Sequence, residues 1–414
     1  MKKICIFISI IVCCLSMAAQ RTIKVNDVYY NIYSDGTAEV TNYAGGQYVE
    51  YNTYKGNVII LPSVTDNGNV YRVTKIGKCA FTNSKEFKSI NIPNRIKIID
   101  ENAFAECDLS SITIPEGVEQ IKIGAFSCCH NLNKVSLPEG LKKIGVKAFA
   151  DDYNLHMVNL PESVDSIGWG AFIMVATEEP IYNSHIFAYL PSGYSGIYHV
   201  PNGIKTIAPA AFFMGTDLTE IILPSSLREI GDFAFATNIL FEAKSRNYKR
   251  VYGGCERLSK IFIPDGVTII GERAFDSCEK LQEIHLPQNL TSIGMNAFKN
   301  CKSLVRVTIP DNVTETGKQM FQGCTNLRSV TLPQGLTTIN NYTFYKCSNL
   351  MYVIIPNTVT KIGNGAFEGC INLVGLEIPS TVTEIGKYAF EDLPYIIYSG
   401  TATGAPWGAK AVCQ

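Results

Sequence analysis

Seven cysteines of this 414-residue chain share one place in a pattern. Cys107, Cys129, Cys278, Cys301, Cys324, Cys347 and Cys370 each stand three residues after a phenylalanine. Thiolates ligate zinc, form disulfides and act as nucleophiles, so their spacing decides which chemistry is open. A zinc site gathers its ligands in one small volume. Cysteines recurring at steps of 22 or 23 residues in a fixed phase form a column along the molecule instead. Such a column reads as buried thiols packed as small apolar groups. Disulfides between neighbouring coils would require Cα atoms about 4.4–6.8 Å apart. Cys79, Cys128, Cys255 and Cys413 bring the count beyond residue 20 to eleven, an odd number, and the Cys128-Cys129 pair is where an outlying exposed thiol is expected.

The five histidines are His130, His156, His185, His199 and His285. Metal or acid–base chemistry needs at least two of them close together with a carboxylate. His199 and His285 share a position two residues before a proline, yet three coils separate them, about 14 Å at ~4.8 Å per strand. That is too far for a shared ion. There is no G-x-S-x-G, H-E-x-x-H, phosphate loop or G-x-G-x-x-G in a strand–turn–helix setting, and no carboxylate pair is fixed by spacing. The expectation is a protein without cofactor, metal or catalytic site. The balance of 36 basic and 37 acidic residues gives no electrostatic ground for a nucleic-acid partner or an anionic membrane.

The elements that position these residues are repeats. "NLRSVTLPQGLTTINNYTFYKC" from Asn326 and "NLMYVIIPNTVTKIGNGAFEGC" from Asn349 share the frame L-x-x-I-x-I-P-x-x-V-x-x-I-G-x-x-A-F-x-x-C. Its phenylalanine recurs at Phe81, Phe104, Phe126, Phe149, Phe172, Phe212, Phe235, Phe275, Phe298, Phe321, Phe344, Phe367 and Phe390, which makes thirteen units. Ten of the twelve steps are 22 or 23 residues; Phe172 to Phe212 and Phe235 to Phe275 are 40. The alternating L-x-x-I-x-I segment predicts a half-buried strand. The proline ends that strand, because it cannot donate to a ladder. The I-G glycine predicts a turn with unusual backbone angles. Ala-Phe predicts a column of phenylalanines, closed by a turn or a single helical turn. One unit cannot bury its own apolar face, and stacking does it.

This frame resembles the BspA-type, or Treponema pallidum type, leucine-rich repeat family of bacterial surface and secreted proteins. The likeness covers roughly residues 73 to 390, with Thr316, Asn340 and Thr343 departing from the usual Ile, Gly and Ala. It implies a curved leucine-rich repeat solenoid, β-rich, with one parallel strand per coil on a concave sheet. It also implies adhesion to host or matrix proteins or to other bacteria. The expected organisation is a signal peptide at 1–19, a β-rich cap at 20–72, the solenoid at 73–392 with insertions at about 173–194 and 236–256, and a C-terminal cap at 393–414. The first segment, MKKICIFISIIVCCLSMAAQ, has a basic start, a short apolar core and small residues for cleavage. Val12 before Cys13 lacks the small residue a lipoprotein signal wants. The chain is therefore expected to be exported, whether secreted, surface-held or periplasmic, with no later membrane span and as a monomer. Ser34-Asp35-Gly36 predicts a hairpin turn in the first cap, and Trp407 is expected to close the phenylalanine column.

Two regions of the surface stand out. Residues two before each proline should face solvent, and the central ones, His199, Ile222, Phe262 and His285, are bulky. Ile197, Glu220, Lys260 and Glu283 stand four before the same prolines. Grouped exposed apolar residues on a sheet mark a contact surface, whereas scattered single ones are ordinary; both readings stay open on the sequence. The first insertion, with Tyr189 and Tyr194, reads as an extra strand or hairpin. The second carries Lys244, Arg246, Tyr248, Lys249 and Arg250, either a solvated basic loop or a positive patch. Together they predict a lip beside the central face, and a protein ligand or a glycan as partner.

Overall fold

The computed structural model describes residues 21–237 and 254–413. The expected signal peptide lies outside these residues, and so does nearly all of the second insertion. The chain is a parallel β-solenoid of about thirteen turns with no helix among the described residues. Each regular turn supplies two short strands. One precedes the proline, as in Ser111–Thr113, and the other precedes the glycine, as in Gln120–Ile121. Pre-proline strands pair in parallel with pre-proline strands, and pre-glycine strands with their own kind. Along both, the apolar residue of each pair turns into the core while its neighbours stay in solvent.

Thirteen phenylalanines form the spine. Their rings stack at centroid distances between 4.9 and 5.9 Å from coil to coil in each run. Each is fully shielded from water, which contributes about 1.5–3 kcal/mol per ring.

Of the two closures expected around Ala-Phe, a turn or a single helical turn, the structure has the turn. That stretch is a string of turns held by residues in the left-handed region. The residue two before each phenylalanine has φ near +55°, whether it is Asn102, Lys147, Phe233, Arg273 or Tyr342. A second left-handed column lies two residues after the phenylalanine, at Glu106, Asp151, Ser277 and Asn300 for example. This kinked path points alternate N–H groups at the next coil. Asn102 N donates to Ile123 O, Phe104 N to Ala125 O and Glu106 N to Ser127 O. The I-G glycine has a different role from the one its type predicts. Gly294 has ordinary φ, but a Cβ there would lie 2.4 Å from Glu272 N in the preceding coil, and at Gly168 it would lie 2.3 Å from Val146 N. Glycine is required there by close approach, not by backbone angle.

The cysteines are buried, as expected, but they also bond. Cys129 Sγ donates to Phe104 O at 3.0 Å and Cys301 Sγ to Phe275 O at 3.2 Å, each reaching the preceding coil. Cys107, Cys278, Cys324, Cys347 and Cys370 repeat this contact. Burial pushes the Cys107 thiol up to about 12 and raises the others well above the ordinary thiol range. Cys255 is an eighth member, with its N–H on Phe235 O. The chain is therefore back in phase with the stack at Cys255. The strands and rings on the two sides of the second insertion pair directly, Phe235 on Phe275 at 5.0 Å.

The first insertion differs. It is a whole additional coil, shorter than the rest. Ile181–Tyr182 and Ile186–Tyr189 form an antiparallel hairpin, the expected element. Ile186 and Phe187 then pair in parallel with Thr206 and Ile207, in the pre-glycine ladder. Leu190 N donates to Ala211 O at 2.8 Å, the bond that a phenylalanine makes in other coils. The slip of 40 residues is thus an 18-residue coil, Phe172 to Leu190, followed by an ordinary 22-residue one, Leu190 to Phe212.

Both ladders stop at this coil. Ser166–Ile167 ends one pre-glycine sheet and Met157–Val158 ends one pre-proline sheet. Side chains bridge the seam. Asn183 Nδ2 donates to Pro161 O and Val164 O, while its Oδ1 accepts from His185 N and Ile186 N. Glu162 accepts from Ser184.

The first cap docks in register. Val28–Ile32 and Thr37–Thr41 form the predicted hairpin, and Thr37–Thr41 runs parallel to Asn69–Ile76, which carries on into the pre-glycine ladder. At the far end Trp407 packs edge-on 6.5 Å from Phe390, and its carbonyl accepts Phe390 N.

Candidate binding surface

The pre-proline sheet from Ser195–His199 to Tyr352–Val353 is a continuous seven-stranded ladder. Its register builds the surface that the sequence marks. His199 pairs with Ile222, Ile222 with Phe262, and Phe262 with His285. One step back along the strands, Ile197 pairs with Glu220, Glu220 with Lys260, Lys260 with Glu283, and Glu283 with Arg306. Buried neighbours such as Ile221, Ile261 and Ile284 fix these strands to the core, so the alternate side chains must point outward.

Phe262 is 60% exposed, Ile197 57% and Ile222 40%. His199, Lys260, Glu283 and His285 are also exposed, and Glu220 is half-buried. Glu220, Lys260, Glu283 and Arg306 alternate in sign across the strands, and Lys260 Nζ lies 3.5 Å from Glu220. A groove of about 540 Å³ opens between Glu283–His285 and Arg306–Thr308, where only Glu283 and Arg306 pair.

Of the lip expected from the insertions, the described residues hold only the first part, and Tyr189 does not line it. Tyr189 is 2% exposed, because its strand belongs to the stack and not to a protruding hairpin. Tyr194 is half-buried, with its ring 5.4 Å from Tyr198 and its hydroxyl 3.5 Å from Glu179. Lys244, Arg246, Tyr248, Lys249 and Arg250 lie outside the described residues.

A second exposed apolar group escaped the sequence reading. Met351, Tyr352, Ile354 and Val374 border a groove of about 720 Å³ where the ladder stops before Leu376–Ile378. Met351 and Val374 stand five residues before their prolines. Following that column, and the column four before the proline as far as Tyr352, would have found them.

Among the described residues no cluster of three or more His, Cys, Asp or Glu is placed to hold a metal ion. No helix among them is long and apolar enough to cross a membrane.

The sequence family described as "BspA type Leucine rich repeat region (6 copies)" matches residues 69–179, 183–249, 245–374 and 337–399. The chain belongs to the BspA-type leucine-rich repeat family. Solved structures are similar in the same way. A leucine-rich repeat protein from Eubacterium ventriosum is 21% identical over 84% of this chain and 95% of its own, with a TM-score of 0.51. The Treponema pallidum leucine-rich repeat protein is 32% identical over 45% of this chain and 82% of its own, TM-score 0.39. One from Bacteroides ovatus is 24% identical over 94% and 90%, TM-score 0.45. No curated protein matches. As a BspA-type repeat protein the chain has a fold that generally serves binding without catalysis, and its outward pre-proline residues are the part of each repeat not consumed by the stack.

Proposed function

We propose that this is an exported binding protein that engages a protein ligand through the central pre-proline face, with Ile197, His199, Ile222, Phe262 and His285 at its centre and Glu220, Lys260 and Glu283 beside them. The observation that carries this reading is Phe262, held in solvent between Ile222 and His285 on a rigid ladder. Large exposed apolar side chains grouped on a sheet cost solubility and repay it on contact. The alternating charges of the neighbouring row favour a partner with its own ordered polar pattern, since complementary charges set register and on-rate. Adhesion to a matrix or bacterial surface protein fits this chemistry, and the amino-terminal segment fits export.

The test is binding of purified chain to immobilised matrix and bacterial surface proteins. Phe262→Ala with Ile222→Ser is expected to lower affinity by at least about tenfold, in line with loss of a buried interface anchor. Unchanged binding in every pair that the parent recognises would remove the central face from the reading. The groove beside His285 and Arg306, with Glu283, Gln288 and Thr308 also on its wall, favours a second reading, a glycan ligand. A glycan array with the parent chain and Arg306→Ala separates the two.

A further inference from the structure

The pre-proline sheet lacks a strand where the stack passes over the short coil. Met157–Val158 pairs only with Lys134–Ser136, and Ser195–His199 pairs only with Asp217–Ile222. Residues 173–179, which precede Pro180 of the short coil, contain no strand. Their backbone makes one bond to the upstream edge, Ala176 N to Leu155 O at 3.1 Å, and none to Ser195–His199. Two strand edges thus face the gap with N–H and C=O groups that have no backbone partner among the described residues. The chemistry that satisfies such groups is another extended polypeptide.

Three further observations narrow the occupant. A cavity of about 480 Å³ opens here between Val175–Glu178 and Ser192–Tyr194. Its rim is acidic: Glu178 and Glu179 are exposed, and neither forms an ion pair within the described residues. The two strand edges themselves carry apolar surface, with Met157 and Ile197 each more than half exposed.

We propose that this gap takes an extended segment of a partner protein. Backbone hydrogen bonds to Ile197–His199 hold the segment. An apolar side chain covers Ile197 and Met157, and a Lys or Arg reaches Glu178 and Glu179. The proposal rests on the reading of this face as a protein-binding surface, and it names a second contact on it, separate from Phe262.

The test pans a displayed library of peptides of about ten residues against the full chain and resynthesises the selected sequences. Basic sequences with alternating β-branched residues are expected, and the bound peptide should slow amide exchange at Ile197–His199. Methylating alternate peptide nitrogens should weaken binding at least about tenfold, because it removes the donors of the ladder. Glu178→Lys with Glu179→Lys, both at exposed positions, should weaken it by roughly fivefold or more. Phe262→Ala should leave peptide affinity within about twofold, so this proposal and the central-face reading fail separately. The proposal is overturned if no peptide is selected, or if the methylated peptide binds equally well. It is also overturned if protection falls elsewhere, or if the chain protects Ile197–His199 by associating with itself without peptide.

Discussion

Asp152 stands in the cysteine column, three residues after Phe149, and it is the one carboxylic acid there. It is wholly buried. Its Oδ1 accepts Cys129 N at 2.7 Å, while Oδ2 has no hydrogen-bond partner. Burial raises its pKa to about 9, opposed by the Cys129 N–H and reinforced by the charge of Asp151. The folded chain therefore holds a proton at neutral pH that the unfolded chain has released above about pH 4. Because the folded value is the higher one, the contribution to stability is complete below about pH 4 and falls as pH rises toward 9. The slope is about 1.4 kcal/mol per pH unit across that window. At pH 7 the cost is about 4 kcal/mol. Asp152→Asn keeps the shape and removes the titration. Asp152→Cys also supplies a thiol positioned to reach Phe126 O, as Cys129 reaches Phe104 O. Urea unfolding of the three proteins at pH 5, 6.5 and 8 measures the effect. The gap between either variant and the parent should widen by about 4 kcal/mol from pH 5 to 8. Parallel pH profiles for parent and Asp152→Asn would refute the account of a neutral buried acid.

Four other outcomes follow from the packing. Phe298→Ala, in the middle of the ring column, should cost about 3–5 kcal/mol by thermal or urea unfolding, as fully buried phenylalanines do. Gly294→Ala should destabilise by several kcal/mol, roughly 1–3 or more, through its clash with Glu272, whereas an ordinary turn glycine with ample room would not. Tyr388→Gly should stabilise by about 1 kcal/mol, because Tyr388 is exposed at φ +57° and glycine adopts that angle freely. In a thiol-reagent titration of native protein, exposed Cys413 should react first and half-buried Cys128 next; the other nine among the described residues should react only on unfolding.

The architecture was largely legible because a repeat aligns with itself. Leucine, isoleucine, proline and phenylalanine each recur with one structural duty, and both the strand phase and the ring column follow. The outward residues His199, Ile222, Phe262 and His285 were legible for the same reason, since alternation along a strand fixes their side. The left-handed positions were not. Asn102, Lys147, Phe233 and Tyr342 occupy one of them with unrelated side chains, so type carries no signal, and the bonds between coils impose the angle. The I-G glycine misled in the opposite sense, because glycine answers equally to angle and to proximity. The short coil was hidden because Leu190 replaces the phenylalanine used to count units. Tyr189 was misplaced with it, as an exposed residue of a hairpin that the stack in fact absorbs.

The seam at the short coil also has a mechanical meaning. Elsewhere, a load along the stack is carried by rungs of backbone hydrogen bonds at the strands and at the phenylalanine turn. Between Phe172 and Leu190 the backbone rungs among the described residues shrink to one, Ala176 N on Leu155 O, and the load passes mainly through the side chains of Asn183, Glu162, Ser184 and His185 and through apolar contact. A chain held at one end and pulled at the other therefore has a designated weak link. Stretching in an optical trap should part the two halves there first, with each half still wound. For a protein gripping a partner under flow, that joint would yield and re-form before any coil unravels.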